Sequence, residues 1–164
     1  MYTHLVTHSC YSLLEALPSP QDLVSAAADR GMKALALTDH RYLTGAVEFH
    51  QSCQKAGIQP ILGLEIDLAW DAASSRVVLL AESLDGWSNL CRISSAGFSQ
   101  QDPEAPFPID QLAQYSGGLI ALSGDLGDPF GARLRQLKAL FPDHLYLVLQ
   151  DDRERSRINE LALK

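Results

Sequence analysis

The chain has 164 residues, of which 46% are hydrophobic, and a formal net charge of −7. This length and composition can bury one hydrophobic core, so a single domain is predicted. The acidic balance argues against a strong nucleic-acid binder, which needs clustered Lys and Arg, and suits a protein partner or a metal ion. The sequence shows neither an apolar run of roughly 18 residues that would span a bilayer nor a secretion signal. Three cysteines without CxxC spacing are typical of reduced thiols in a cytoplasmic protein.

The N-terminal region predicts a strand, a loop and a helix. The apolar residues 2–6 are typical of a short buried strand, in which His4 would be a packed core residue. After the loop, Ser19 and Pro20 have the residue types of a helix N-terminus. Gly31 is suited to end that helix, because glycine readily adopts the left-handed conformation found after a helix.

The stretch over residues 33–67 predicts a strand, a crossover helix and a second strand. An apolar run covers residues 34–37, an amphipathic segment covers 44–56, and a second apolar run covers 58–64. The residues predicted to face inward from the helix are Val47, Phe49 and Cys53.

Polar residues follow both strands of this unit. Asp39 and His40 come after the first strand and Glu65 comes after the second, and such positions favour chemistry because the sheet holds them around one rim. A structural interpretation is also open, in which Asp39 caps the following turn and Glu65 faces solvent.

The remaining sequence continues the alternation of strands and helices. A polar turn at residues 71–75 predicts a hairpin with a return strand. The elements that follow are a return strand at 76–81, a helix from 85 to about 96, a surface loop at 99–108, a short helix at 109–115, a strand at 118–123, a helix at 129–140, a strand at 145–150 and a helix from 153. This pattern predicts an α/β fold with a mainly parallel sheet, and the uncapped final helix indicates the front part of a longer protein.

The polar residues at predicted strand ends suggest a metal site. They are His8, Glu15, Asp39, His40, Glu65 and Asp125. Imidazole and carboxylate ligands suit zinc, manganese or iron, and two or more such ions can activate water for attack on a phosphate ester. No motif for acyl transfer or nucleotide binding is present.

Five segments together resemble a known family. HLVTHSCYSLLEA, ALALTDHRYLTGAVEF, AGIQPILGLEI, GLIALSGD and FPDHLYLVLQ are similar to the PHP (polymerase and histidinol phosphatase) domain, in the version found at the N-terminus of bacterial DNA polymerase III alpha subunits. The resemblance runs from His4 to about Gln150. It implies a distorted seven-stranded β/α barrel with a trinuclear metal cleft, and it makes residues 1–164 a PHP domain that lacks its last strands.

The resemblance also implies a role in DNA replication. The PHP domain would pack on the polymerase core of the same chain, and in some members it docks the proofreading exonuclease subunit. DNA-directed DNA polymerase activity, a nucleotidyltransferase reaction, and contact with DNA would belong to the full-length polymerase and not to this segment.

The family's metal positions are only partly retained in this sequence. The resemblance assigns ligand positions to His8, Glu15, His40 and Glu65, with Asp39 supporting them, and places Asp125 where the family has a cysteine. Val6 and Arg76 stand where the family has histidines, and the last Asp–His pair would lie beyond Lys164.

A trinuclear site is not expected to survive these replacements. Valine has no lone pair to donate, and arginine stays protonated and repels a cation. One hypothesis is that Arg76 replaces the missing metal and binds the carboxylates of Glu65 and Glu15. The alternative is that Arg76 is an exposed residue on a loop.

Three functions are therefore compared. The first is a structural or partner-docking module with a degenerate metal site. The second is a PHP phosphoesterase or 3′–5′ exonuclease that works with fewer zinc or manganese ions, using His8, His40, Glu65 and Asp125. The third is a stand-alone protein derived from a PHP domain. The sequence is equally compatible with zinc or manganese at reduced occupancy and with no metal.

Overall fold

The computed structural model describes residues 2–70, 73–102, 104–123 and 131–148. The helices are α1 (Pro20–Asp29), α2 (Ala46–Ala56), α3 (Leu84–Phe98), α4 (Ile109–Leu112), which continues into a 3-10 turn (Ala113–Tyr115), and α5 (Ala132–Leu140). The strands are β1 (Ala34–Leu37), β2 (Gln59–Trp70), β3 (Ala73–Ala81), β4 (Phe107–Pro108), β5 (Leu119–Ser123) and β6 (Leu145–Leu147). None of the helices in these ranges has the length and apolar character needed to cross a membrane.

The strands form one six-stranded mixed sheet in the order β1-β2-β3-β5-β6, with β4 beside β2. β3 is antiparallel to β2 and to β5, and the other pairs are parallel. Five of the six described strands therefore run in one direction. The predicted α/β class is confirmed, and the predicted hairpin is the pair β2–β3, which supplies the one reversed strand.

β2 is the longest strand of the sheet and connects its parts. Its first half pairs with β1 from Gln59 to Leu62, and its second half pairs with β3 from Gly63 to Trp70. The strand was predicted to end before Glu65, but it continues to Trp70 because Ile66 and Leu68 are buried and extend the apolar alternation. Glu65 therefore lies inside a strand.

Hydrophobic clusters cover both faces of the sheet. Leu79 of β3 packs in the main cluster with residues of α3 and α5, whereas its neighbour Leu80 belongs to a separate cluster on the opposite face. A further cluster joins α1, α2 and β1, and it contains the fully buried Phe49 and Cys53. Burial there raises the pKa of the Cys53 thiol to about 11.

Residues 2–6 do not form the predicted buried strand. The segment runs beside β1, with backbone hydrogen bonds from the amide nitrogens of Ala36 and Thr38 to the carbonyl oxygens of His4 and Thr7. Four of its five residues are exposed, and His4 packs edge-on against Tyr2 and not in the core. An apolar run of this length does not distinguish an edge segment from a buried strand, which explains the error.

Several smaller expectations also change. Val47 was predicted to face inward but is 65% exposed, because the buried face of α2 follows Ala46, Phe49 and Cys53. Residues 73–75 extend β3 and are not part of a turn. Asp125, the end of the strand predicted at 145–150 and the helix predicted from 153 lie outside the described residues.

The contact between α3 and the start of β5 provides a test of the fold. A Cβ atom on Gly86 would lie 1.9 Å from the backbone carbonyl oxygen of Gly118. We expect Gly86→Ala to lower the free energy of unfolding by about 2–3 kcal/mol, because backbone cannot move aside cheaply. Gly97→Ala in the same helix is the matched control, since its Cβ would meet Phe107 at 3.8 Å, and it should stabilise by up to about 1 kcal/mol. Urea denaturation of both variants measures the difference, and equal midpoints would contradict the described contact.

Candidate functional site

Four of the residues assigned by resemblance lie together at one end of β1. His8 and Glu15 come from the segment before α1, His40 follows β1, and Glu65 lies in β2, where it forms a parallel bridge with His40. One ligand atom each from His8, Glu15 and Glu65 lie within 4.8 Å of one another. The Nδ1 atom of His40 is 3.0 Å from Oε1 of Glu15. The described structure thus brings residues that are far apart in sequence into one polar cluster.

Arg76 lies inside this cluster. It is the cross-strand partner of Asp67 in the β2–β3 pair. Its Nη1 atom donates to Glu65 Oε2 at 3.0 Å and to Glu15 Oε2 at 3.0 Å, and its Nη2 atom donates to Glu15 Oε1 at 2.6 Å. The contacts that the sequence hypothesis required are therefore present, and Arg76 is paired although its side chain is 48% exposed.

Asp67 and Arg41 extend the cluster on its other side. Nε2 of His40 lies 2.9 Å from Asp67 Oδ2, and Nη2 of Arg41 donates to the same oxygen at 2.6 Å. Burial alone would raise the pKa of Asp67, but the hydrogen bond from Arg41 and the nearby His40 outweigh it, so the pKa is lowered. Neither residue was predicted from the sequence to belong to the site. The signal was available for Asp67, because it is two positions after Glu65 in a strand and shares its face.

The titration of two members reflects these charges. Nε2 of His8 lies 3.3 Å from Glu65 Oε2, although the two groups are not aligned as a regular hydrogen bond. The close polar contact with Glu65 raises the pKa of His8 against the opposing effect of burial. The hydrogen bond from Arg76 is the main cause that lowers the pKa of Glu15. The Glu15 carboxylate is thus stabilised in its charged form by the neighbouring guanidinium.

The carboxylate of Asp39 binds serines of the loop before α1 and supports the cluster indirectly. Asp39 is 2% exposed. Its carboxylate accepts from the Ser9 amide at 2.6 Å, from Ser9 Oγ at 2.7 Å and from Ser12 Oγ at 2.7 Å. The His40 amide in turn donates to Ser12 Oγ at 3.0 Å. Asp39 therefore ties the loop that carries Glu15 to the end of β1.

The chemistry of the donor set limits which metal centre would fit. His8, Glu15 and Glu65 could hold one ion. Val6 offers no donor atom, and the guanidinium of Arg76 already binds the two carboxylates. The residues described here therefore do not fit the three-ion centre that the resemblance implies. Asp125, the remaining candidate ligand, lies outside the described residues.

Comparison with known proteins identifies the family. The PHP domain model matches residues 4–161. The chain therefore belongs to the PHP domain family. Within that family it is homologous to a segment of DNA polymerase III alpha subunits, as the following relatives show.

The curated relatives are much longer than this chain. An error-prone DNA polymerase from Symbiobacterium thermophilum is 35% identical over 93% of this chain and 16% of its own length. The DNA polymerase III subunit alpha of Chlamydia pneumoniae is 39% identical over 81% of this chain and 12% of its own length. The DNA polymerase III subunit alpha of Thermus aquaticus is 31% identical over 98% of this chain and 16% of its own length. The chain thus spans between an eighth and a sixth of these relatives.

Solved structures share the fold at low sequence identity. A Bifidobacterium adolescentis protein assigned as a metal-dependent phosphoesterase superposes with a TM-score of 0.64 at 16% identity, covering 98% of this chain and 83% of the other. An amidohydrolase from Chromobacterium violaceum superposes with a TM-score of 0.57 at 16% identity, covering 88% of this chain and 73% of the other. At this identity the comparison supports the fold alone.

Replacing Asp39 tests its supporting role. We expect Asp39→Asn to lower the free energy of unfolding by about 2–3 kcal/mol, because an amide cannot accept from all three serine donors and leaves buried groups unpaired. Asp29→Asn, at an exposed position at the end of α1, is the control and should stay within about 0.5 kcal/mol of the parent. Chemical denaturation measures both, and a neutral Asp39→Asn would contradict the supporting role.

Replacing Arg76 tests the ion pair through its pH dependence. We expect Arg76→Gln to lower the free energy of unfolding at pH 7 by about 1 kcal/mol, a modest value because the guanidinium is partly solvated. A lowered pKa of Glu15 stabilises the folded state above its ordinary value near 4.5, and this stabilisation is lost as the pH falls through the folded-state pKa. The difference between the parent and the variant should therefore shrink below that pH. Arg135→Gln, on the exposed side of α5, should show no such trend, and a difference independent of pH would refute the assignment.

Proposed function

We propose that this chain is the N-terminal PHP domain of a bacterial replicative DNA polymerase III alpha subunit, and that it serves there as a structural module. The homology to segments of such subunits supports the parent protein. The observation that carries the structural role is the guanidinium of Arg76, which binds the carboxylates of Glu15 and Glu65, two residues that the resemblance assigns as metal ligands.

The charges of the cluster explain why arginine can take this place. Glu15, Glu65 and Asp67 bring three carboxylates close together, and like charges in a partly buried site repel one another. The Arg76 side chain supplies a fixed positive charge and several donors in a planar fork, which suits paired carboxylates. In this proposal the cation that neutralises the acids is covalently part of the chain, so the site contributes stability without supplying a reactive centre.

The proposal extends to the rest of the parent protein. Residues 1–164 are one PHP domain whose seven-stranded barrel is completed by chain that follows them in the polymerase. The domain packs on the polymerase core of the same chain and is a candidate docking site for a proofreading exonuclease subunit. DNA synthesis and DNA binding are assigned to the full-length polymerase, consistent with the net charge of −7 of this segment.

A second candidate function is a metal-dependent phosphoesterase or 3′–5′ exonuclease with a reduced metal complement. The His8, Glu15 and Glu65 group favours it, because one nitrogen and two carboxylate oxygens lie within 4.8 Å. A bound zinc or manganese ion would lower the pKa of a water molecule and favour attack on a phosphate ester. His8, Glu15 and Glu65 would hold the ion, and His40 would keep Glu15 in position through the contact at 3.0 Å. Arg76 would have to release both carboxylates.

Metal content per chain distinguishes the two functions. The parent, Arg76→His and His40→Ala are loaded with zinc or manganese, desalted and measured by elemental analysis. We expect a metal-free parent and about one ion per chain in Arg76→His, because the substitution removes the cation and adds a ligand. Arg92→His, at an exposed position on α3, is the matched control and should remain metal-free.

Other results of the metal measurement would contradict the proposed structural role in different ways. A parent that binds metal and loses it on His40→Ala would support the phosphoesterase function and overturn the structural one. If the parent and Arg76→His are both metal-free, the same variant is measured in the full-length gene product, which supplies any ligands beyond Lys164. A metal-free Arg76→His variant there would contradict the substitution of metal by Arg76. The length of the native gene product separates a polymerase subunit from a stand-alone protein, since the subunit is several-fold longer than this chain.

A further inference from the structure

We propose that the leucine loop, residues 10–18, is a docking surface for the rest of the polymerase chain, and that Arg76 and His40 hold this loop in shape through Glu15. This inference rests on the proposed function, since it takes the partner from the parent polymerase. It adds a specific surface and gives the Glu15 cluster a purpose other than metal binding.

Three leucines of the loop face solvent. Leu13, Leu14 and Leu17 are 78%, 107% and 94% exposed. Single exposed leucines are common on protein surfaces, but three within five residues concentrate exposed apolar side chains in one loop. A chain that leaves such a patch in water loses the stabilisation that burial of these side chains would give. The loop therefore has the composition of a surface that another protein segment covers.

The loop is held rigidly although its leucines are exposed. The Cys10 amide donates to the carbonyl oxygen of Pro18 at 2.8 Å, which closes the loop at its base. The Ser12 hydroxyl donates to the buried Asp39 at 2.7 Å, and the amides of Glu15 and Ala16 donate to the Ser12 carbonyl oxygen at 3.1 and 3.2 Å. A preorganised surface loses less conformational entropy when a partner binds. These bonds favour a docking role over a mobile connection.

The backbone at Leu14 is strained, and the side chains of Leu14 and Glu15 have different surroundings. Leu14 has φ of 64°, a left-handed conformation that is unfavourable for a residue with a Cβ atom. It is fully exposed, whereas the side chain of the next residue, Glu15, is 27% exposed and pairs with Arg76 and His40. The ion pairs of Glu15 thus offset the strain that presents Leu14 outward.

Chain length, charge and size favour the rest of the polymerase chain as the occupant of this surface. The alpha subunits that match this chain are much longer than it, because the chain covers only 12% to 16% of their length. A second copy of this chain is disfavoured, since each copy carries a net charge of −7 and like charges repel. A separate subunit needs roughly 800 Å² of contact on each side, whereas a covalently connected segment can use a small patch at high effective concentration. The polymerase remainder fits these conditions.

Thiol labelling of the native full-length gene product tests the proposal. Leu17→Cys in a Cys10→Ser background is labelled with a maleimide, both in the full-length protein and in the 164-residue chain. We expect labelling about tenfold slower in the full-length protein, because the loop is covered there. Leu84→Cys in the same background is the matched control, since Leu84 is 86% exposed at the start of α3 and should react at similar rates in both proteins.

A second variant separates docking from folding. Leu14→Gly removes an exposed leucine and relieves the left-handed strain, so it should not lower the melting temperature of the 164-residue chain. In the full-length protein it should raise the labelling rate of the Leu17→Cys probe. Arg76→Gln should do the same, because the loop loses the partner of Glu15, whereas the exposed control Arg135→Gln should not.

Each remaining outcome overturns the proposal. Equal labelling of Leu17→Cys in the two proteins would show that the polymerase does not cover the loop. Protection of the 164-residue chain that grows with its concentration would identify a second copy as the occupant. Protection that appears only when an exonuclease subunit is added would identify a separate partner. A native product without polymerase sequence would refute the proposed function itself, whereas unprotected leucines in a true polymerase would refute the docking surface alone.

Discussion

The structure depends on the neutralisation of three carboxylates that meet at one end of the sheet. Glu15, Glu65 and Asp67 come from a loop and from β2, and their mutual repulsion would weaken the contact between these parts if no cation lay between them. Arg76 and Arg41 donate to them from two sides. The ion pairs of the cluster therefore connect the N-terminal loop, the end of β1 and the β2–β3 pair.

The position of Arg76 in this cluster follows from the hairpin. Because β3 returns antiparallel to β2, Arg76 lies directly opposite Asp67, on the sheet face that also carries Glu65. A slip of one residue in the strand register would turn Arg76 to the other face and leave the acids unpaired. The register is fixed by the apolar alternation of β3, in which Val77 and Leu79 are fully buried on the face opposite Val78 and Leu80. Packing of the core and charge balance of the site therefore depend on the same alignment.

Much of this architecture could be predicted from the sequence because its signals are local. The Ser19-Pro20 start of α1 and the left-handed glycine that follows this helix, Gly31, have direct local causes and appear as predicted. The contacts of Arg76 with Glu15 could be anticipated only because a family resemblance placed residues 61 positions apart in one site. Residue periodicity alone carries no information on such a distant pair.

Other features could not be predicted, for physical reasons that differ between them. The exposed leucines of residues 10–18 have the same composition as a buried segment, and only the folded chain shows which side is covered. The N-terminal residues 2–6 were misassigned for the same reason. Arg41 was missed because its partner Asp67 lies in the extension of β2 beyond its predicted end. The extent of a strand depends on its neighbours, and these are not visible in a short sequence window.

The long separation of Arg76 and Glu15 in sequence has a consequence for folding kinetics. The β2–β3 hairpin closes a short connection and can form early, whereas the bond from Arg76 to Glu15 must wait until chain elements 61 residues apart have met. An interaction that forms after the transition state slows unfolding and leaves the refolding rate nearly unchanged. The arginine would therefore mainly lower the unfolding rate, which lengthens the lifetime of the folded N-terminal loop.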